Sequence, residues 1–300
     1  MRVYVTGASG FVGAHVAREL RERGAEVRDD RVELLDAAAL ERAFAGCDAV
    51  FHVAARYSYD ADAAALERVN VEGTRNVLDA CARAGVGRLV HTSTAGTCGP
   101  VRGRAATEED APPEWELAVP YKRTKLEAEG LVLAAARVGL DAVVVNPTTP
   151  VGDGDAKPTP TGRMIEGVAT GRLRGYTPAT GLNVVDVRDV AAGHALALER
   201  GVAGERYLLG GTDLALGELF AAIADLAGRP RPTVRVPYPV AVGAARFGLA
   251  NRDEVRLARL PMFFSSAKAE SLLGYRPGPV EPALARAVDD ALRRNGKAER

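Results

Sequence analysis

The sequence predicts an α/β protein, a doubly wound parallel sheet followed by a smaller C-terminal unit that faces substrate. Three observations carry this. Short β-branched runs alternate with helical periodicity through the first half of the chain, a glycine-rich turn joins the first strand to the first helix, and the rhythm changes after Pro150. Repeated strand and helix in that order gives parallel strands covered on both faces, because each crossover has to return over the sheet.

The first strand is RVYV (2–5). In the helix after Phe11, Val12, Val16 and Leu20 fall at i, i+4 and i+8, and Gly24 stands where a C-terminal glycine ends a helix, so one face packs on the sheet. Further strands are expected at DAVFHV (48–53), RLVHTS (88–93) and DAVVVN (141–146), with helices near 63–84 and 121–138 between them. Beyond Pro150, where VGDGDAKPTPTG (151–162) is rich in Pro and Gly, the expected elements are a helix at 163–171 and a strand at 183–187. Helices at 189–199 and 216–227, an apolar segment at 239–249 and a final helix at 281–294 follow. Residues 1–150 then form the nucleotide-binding domain and 151–300 mainly the substrate-binding unit, with 181–210 returning to the core sheet.

One interval breaks the pattern. Between Val27 and Val32 stand only Arg28, Asp29, Asp30 and Arg31, whereas a parallel crossover needs a dozen residues or more. Either one strand is absent and EVRDDRVELL (26–35) is a single run, or a loop is missing from the chain as recorded. Asp29 or Asp30 could accept from ribose hydroxyls, and a polar turn explains them as well.

Composition narrows the function classes. With 39 Lys+Arg against 39 Asp+Glu, no global basic field exists to hold a nucleic-acid backbone. No apolar run approaches the ~20 residues of a membrane span. A strand starting at Arg2 leaves no room for a signal peptide, so the expected location is the cytoplasm. Cys47, Cys81 and Cys98 are odd in number and irregularly spaced, which predicts reduced thiols and no metal site.

The chemistry lies in two motifs. VTGASGFVG puts Gly7, Gly10 and Gly13 between the first strand and the first helix. Gly7 permits a tight turn, Gly10 lets backbone approach a pyrophosphate, and Gly13 lets the helix lie close on the strand, which is the Rossmann-type arrangement. Tyr121 and Lys125, four apart, share one helix face. A phenol of reference pKa about 10 is a poor base at neutral pH, and an adjacent ammonium favours its phenolate. Tyr121 is therefore expected as general acid/base, with Lys125 as its activator and ribose contact.

The glycine turn, HVAA (52–55), NVEGTRNVL (70–78), TSTAGTCG (92–99), YKRTK (121–125) and NPTTPVG (146–152), in that order, closely resemble the extended short-chain dehydrogenase/reductase family of NAD-dependent epimerases and dehydratases over essentially the whole chain. KPTPTGR (157–163), residues 181–201 and residues 262–277 look most like the hopanoid-associated sugar epimerases and the related dihydroflavonol-4-reductase-like reductases. The resemblance implies NAD or NADP as cofactor, with NAD favoured. It implies that Ser9, Phe11 and Val12 join the glycines around the phosphates, and that Glu33 and Leu34 approach adenine, with Asp36 the second member of an acidic pair. Val53, Ala54 and Ala55 let the cofactor pass, Thr92 adjoins it, and Pro147, Thr148 and Thr149 meet the nicotinamide. The Thr94 hydroxyl donates to the substrate oxygen, where most relatives carry Ser. Asn70 either fixes geometry around Lys125 or makes a plain structural hydrogen bond, and His52 is expected as a satisfied core histidine. Arg56, Tyr57 and Tyr59 fall in a loop that lines the substrate cleft in relatives.

The expected function is NAD(P)-dependent hydride transfer at a secondary alcohol or carbonyl carbon, of a sugar or nucleotide-sugar. The alternatives are a dihydroflavonol-4-reductase-like NADPH-dependent aldehyde or ketone reductase, and a non-redox or regulatory dinucleotide-binding protein. By analogy a homodimer forms through the helices holding Asn70–Ala84 and Tyr121–Val138, with Val77, Leu78, Leu131 and Leu133 available for the contact.

Overall fold

The computed structural model describes residues 1–57 and 62–298. Its strands in chain order are β1 (Arg2–Thr6), β2 (Glu26–Arg28), β3 (Ala49–His52), β4 (Arg88–Thr92), β5 (Ala142–Pro147), β6 (Thr149–Val151), β7 (Gly175–Tyr176), β8 (Gly181–Asp186), β9 (Arg206–Leu209), β10 (Thr212–Ala215) and β11 (Val234–Arg235). The helices are α1 (Phe11–Glu22), α2 (Ala37–Phe44), α3 (Ala63–Glu67), α4 (Gly73–Ala84), α5 (Glu114–Leu117), α6 (Pro120–Arg137), α7 (Pro160–Ala169), α8 (Val187–Arg200), α9 (Leu216–Leu226), α10 (Tyr238–Arg246), α11 (Arg252–Leu257), α12 (Ala267–Leu272) and α13 (Glu281–Ala298).

The central sheet has six parallel strands in the order β2-β1-β3-β4-β5-β9. Strand order reverses between β1 and β3, so the crevice above their carboxyl ends is the topological switch point at which α/β sheets bind ligands. Helices α1 and α8 cover one face, packing Val16, Leu20, Val190 and Ala195 onto Val3, Val5, Phe51 and Val90. Helices α2, α4 and α6 cover the other, where Leu40, Phe44, Val77, Cys81 and Val132 meet Tyr4, Val50, Leu89 and Val144. A second sheet, β10-β8-β6, carries its own core of Ile165, Val168, Leu219, Phe220, Ile223, Leu284 and Val288. The predicted strand at 183–187 therefore falls in this smaller sheet, while Arg206–Leu209 pairs with β5 in the central one.

The interval after Val27 makes no crossover. Only Glu26–Arg28 pairs with β1, the chain then leaves the sheet, and the next element is α2. Of the two alternatives, a single strand over 26–35 is not what forms: pairing stops at Arg28 and β2 is the sheet's edge. Of the acidic pair, Asp36 serves as a helix cap, its carboxylate accepting the Ala39 N–H at 2.9 Å, and Glu33 is the member that lines the cleft. Val77 is wholly buried against the sheet and so unavailable to a dimer contact.

A buried ionic network ties β9 to the segment beneath the cleft. Arg206 donates to Glu129 at 2.8 Å, to the carbonyl of Asp110 at 3.0 Å and to that of Glu108. The other Glu129 oxygen accepts from the Thr97 hydroxyl and the Asn146 amide, both at 2.7 Å. Replacing Arg206 by Met leaves the Glu129 carboxylate buried without its counter-charge, and such uncompensated charges cost about 3–5 kcal/mol. Urea unfolding of Arg206→Met is expected to show a loss of that size, and a loss below about 1 kcal/mol would contradict the role given to this pair.

Candidate active site

The glycine turn is dictated by space. Gly7 has φ +72°, and a Cβ there would stand 2.7 Å from Ala54 Cα, while one on Gly13 would stand 2.1 Å from the Gly7 carbonyl oxygen. Gly10, in extended conformation, starts α1 without a side-chain cap, and the first turn holds no acidic residue. The N–H groups of that turn thus open toward an outside anion, which the helix dipole favours. Across the switch point the Thr6 hydroxyl oxygen accepts the N–H groups of Val53 and Ala54, each at 3.1 Å, and fixes the end of β3 beside the turn.

A chain of hydrogen bonds runs from there under the site. Thr6 Oγ1 lies 3.0 Å from His52 Nδ1, and His52 Nε2 lies 3.1 Å from Thr74 Oγ1. Because the Thr74 hydroxyl donates to the Asn70 carbonyl at 2.6 Å, it must accept from Nε2–H, so Thr6 donates to Nδ1 and the imidazole is neutral. Burial, with the Lys125 charge adding to it, pushes His52 down to about 3, in agreement with that tautomer. Asn70 sits on a π-helical turn, Arg68–Glu72. Its Oδ1 accepts the Arg56 N–H at 2.8 Å, and its Nδ2 donates to the Arg56 carbonyl at 3.2 Å and to Thr124 Oγ1 at 3.1 Å. It therefore clamps the loop bearing Arg56 and Tyr57 onto α6, acting on the cleft wall through that loop's backbone.

Pro120 opens α6, placing Tyr121 in its first turn and Lys125 one turn on, both buried. The Lys125 ammonium donates to the Thr92 carbonyl at 2.7 Å. Burial pushes Lys125 down to about 8, against an opposing pull from Glu129. Burial likewise pushes the Tyr121 phenol up, and Tyr57, whose ring centroid lies 4.6 Å away, adds to the shift. Burial thus favours the protonated phenol and works against the phenolate that the Lys125 ammonium is expected to favour. Thr94 caps a short 3₁₀ turn with its hydroxyl oxygen accepting the Gly96 N–H at 3.3 Å, which leaves the O–H proton to donate.

These groups share one cleft of about 1470 Å³. Gly7 to Gly13, Val53 to Tyr57, Thr92, Thr94, Tyr121, Lys125 and Pro147 to Thr149 all line it, as do Glu33 and Leu34, whereas Asn70 lies behind the wall. Tyr59 falls outside the described residues. Sequence reasoning missed several lining residues. Ser93 Oγ is buried without a hydrogen-bond partner among the described residues. Lys122 forms a buried ion pair with Glu116 at 2.9 Å and lies over Gly96, where a Cβ would stand 1.9 Å from its Nζ. Its place next to Tyr121 in YKRTK was the available signal. Met164, Leu173, Leu182, Leu257, Met262 and Phe264 supply an apolar wall from the C-terminal unit, and nothing local in the sequence marks them.

The adenosine end is spare. Asp29 pairs with Arg21 at 2.7 Å, Glu33 with Arg31 at 2.8 Å, all four side chains substantially exposed. Leu34 is buried, its carbonyl accepting from Asn76 at 2.9 Å and its side chain filling the space above Gly73.

The fold and this set of groups define a nicotinamide-dinucleotide enzyme of the extended short-chain dehydrogenase/reductase type. The model of the NAD dependent epimerase/dehydratase family matches residues 3–210, and the chain belongs to that family. A Synechocystis sp. protein named "Putative dihydroflavonol 4-reductase" is 38% identical over 320 residues, covering 95% of this chain and 93% of its own. Sterol demethylase protein B of Methylococcus capsulatus is 34% identical over 320 residues, covering 96% and 97%. The crystal structure of gox2253 is 40% identical, with a TM-score of 0.87 and 98% of each chain covered.

The glycine cradle, the uncapped start of α1 and the small residues Ala54 and Ala55 fit a dinucleotide. Because the acidic groups at the adenosine end are exposed and already paired, discrimination between NADH and NADPH is expected to stay within roughly tenfold, about 1.4 kcal/mol. Paired fluorescence titrations check this, and a hundredfold preference would contradict it.

Lys125 also predicts a pH dependence. Its pKa falls from 10.5 unfolded to about 8 folded, so between those values the unfolded state binds more protons and stability rises with pH. Cofactor-free wild type is expected to gain stability relative to Lys125→Met from pH 8 to 10.5, and parallel pH profiles would exclude the shift.

Proposed function

We propose that the protein is an NAD(P)-dependent reductase acting on the carbonyl carbon of a substrate with a substantial apolar part. The observation carrying this is the cleft itself, which Tyr121 lines together with the apolar side chains of Met164, Leu173, Leu182, Leu257, Met262 and Phe264, while burial favours the protonated form of the phenol. A protonated phenol suits net reduction, in which the substrate oxygen must gain a proton. The names of two relatives, "Putative dihydroflavonol 4-reductase" and "Sterol demethylase protein B", refer for those proteins to compounds built on fused rings, which supports a substrate with an apolar part.

Bound nicotinamide supplies a hydride to the carbon bearing the oxygen. Tyr121 Oη gives its proton to that oxygen as the charge develops, so that carbonyl becomes alcohol. Thr94 donates a hydrogen bond to the same oxygen and orients it. Lys125, anchored on Thr92, holds the ribose and offers a positive charge to the phenolate left behind. Ser9, Phe11 and Val12, which line the cleft with the glycines, would hold the phosphates, and Pro147, Thr148 and Thr149 would bound the nicotinamide side. Arg56 and Tyr57, held by Asn70, form the substrate wall.

Epimerisation of a sugar by oxidation and return is the second reading, and the family's own description favours it. It requires Tyr121 to start as phenolate, which burial opposes. An epimerase retains NAD through purification, and a reductase exchanges its cofactor freely. The intact Thr94, Tyr121 and Lys125 set opposes a non-redox role.

The protein is further proposed to be cytoplasmic and a homodimer, pairing through α4 and α6, where Leu78, Leu131 and Leu133 are half-buried. Sedimentation at micromolar concentration should give twice the 31.5 kDa of the chain, and a mass of 31.5 kDa would end the dimer proposal.

Tyr121→Phe removes only the transferable proton. It should keep fold and cofactor affinity and lose at least roughly 10²-fold in turnover on aromatic or alicyclic ketones. Near-normal turnover would remove Tyr121 from the reaction.

A further inference from the structure

Charge and apolar exposure coincide in one segment of the C-terminal unit. Residues 227–260 contain seven arginines and no lysine against Asp253 and Glu254, in a chain whose charges balance overall. Asp253 is paired with Arg256 at 3.3 Å and Glu254 with Arg163 at 3.7 Å, so both carboxylates are engaged. Arg231 pairs with Asp225, and Arg259 lies over the Trp115 ring. Arg235 and Arg246 are exposed and have no ion-pair partner among the described residues.

The same segment holds five of the thirteen large apolar side chains that are exposed among the described residues: Val234, Val240, Val242, Phe247 and Leu249. Helix α10 buries only Ala241 and Ala245. Its end is closed by Gly248 in left-handed conformation, with the Leu249 N–H donating to the Ala244 carbonyl at 3.0 Å. Such a turn ordinarily folds its trailing apolar residue back on the helix. Here Phe247 and Leu249 each remain 82% exposed. Helix α11, packed against α10, contributes Glu254 and Leu257 to the cleft, and Ala258 just after it lines the cleft too, so the patch adjoins an element of the cleft wall.

We propose that this face rests on the surface of an anionic phospholipid bilayer, with Phe247 and Leu249 entering the interfacial layer and Arg235 and Arg246 meeting lipid phosphates. Two weak signals, an apolar wedge and a cationic rim, are what peripheral attachment requires. Among the described residues no helix is long and apolar enough to cross a membrane, so any attachment by a helix is peripheral. A second copy of the chain fits the face less well, because a two-fold contact would set one arginine excess against the other. Together with the apolar-substrate reading above, on which the attachment itself does not depend, this would open the cleft beside the lipid phase.

Co-sedimentation of the full chain with phosphatidylcholine vesicles, with and without phosphatidylglycerol, tests the attachment. Binding should be at least about tenfold stronger to the anionic vesicles and should fall steeply in about 0.5 M salt. F247S/L249S should lower it by about tenfold while leaving the thermal midpoint and turnover on a water-soluble ketone unchanged, and R235E/R246E should remove the preference for anionic lipid. Equal sedimentation with and without vesicles, or undiminished binding by both variants, would overturn the proposal. So would a sedimentation-velocity result in which F247S/L249S converts dimer to monomer with no vesicle binding by wild type, since the face would then be a contact between copies.

Discussion

The constraint on which the rest of the site depends is the burial of the Lys125 ammonium against the Thr92 carbonyl, 2.7 Å away. A lysine taken out of water is costly, and this one has its pKa driven down to about 8. It is tolerated because the receiving carbonyl ends β4 in the middle of the sheet, where neighbouring strands hold it rigid. Thr92 is itself fixed from the opposite face, its hydroxyl 2.8 Å from His194 Nε2 on α8. A line of polar contacts thus crosses the sheet from α6 through β4 to α8, and both helical layers set the position of one ammonium. The same burial lowers Lys125 and raises Tyr121, moving each toward its uncharged form.

A second polar line ties the cofactor turn to the substrate wall. Thr6, His52, Thr74 and Asn70 pass hydrogen bonds from the end of β1 to the backbone of Arg56. A buried network of this kind specifies geometry when every member is satisfied, and His52 has both nitrogens occupied. Its neighbour His91, with ring centroids 5.1 Å apart, is buried with neither nitrogen hydrogen-bonded among the described residues. Burial, with the charge of Lys125 and the neighbouring imidazoles of His52 and His194 adding to it, disfavours the charged form of His91.

Against this crowded centre the adenosine end is reduced to a three-residue edge strand and a few exposed ion pairs. The groups proposed to react come from β4, α6 and the turn after β5, whereas β2 pairs only with β1 in the central sheet. The strands that carry those groups, on the far side of the switch point, take their register from each other.

The glycine turn, the four main inner strands, the long helices and the Tyr121–Lys125 pair were legible in the sequence because each rests on local geometry: backbone freedom at Gly7, period-two and period-3.6 burial, and the i, i+4 spacing of one helix turn. Even the impossibility of a crossover at Arg28–Arg31 followed from chain length alone. What the sequence could not determine was every feature set by residues far apart in it. That 26–35 would leave the sheet after Arg28, that Val77 would face the core, and that Asp36 would spend its carboxylate on Ala39 depended on which neighbours arrived. The pairing of β9 with β5, the Arg206–Glu129 bond across 77 residues and the apolar wall from Met164 to Phe264 were decided by tertiary packing. So was the burial that opposes the phenolate form of Tyr121. A sequence shows that an ammonium stands one turn from a phenol, but the sign of the net effect depends on how much water the fold removes from both.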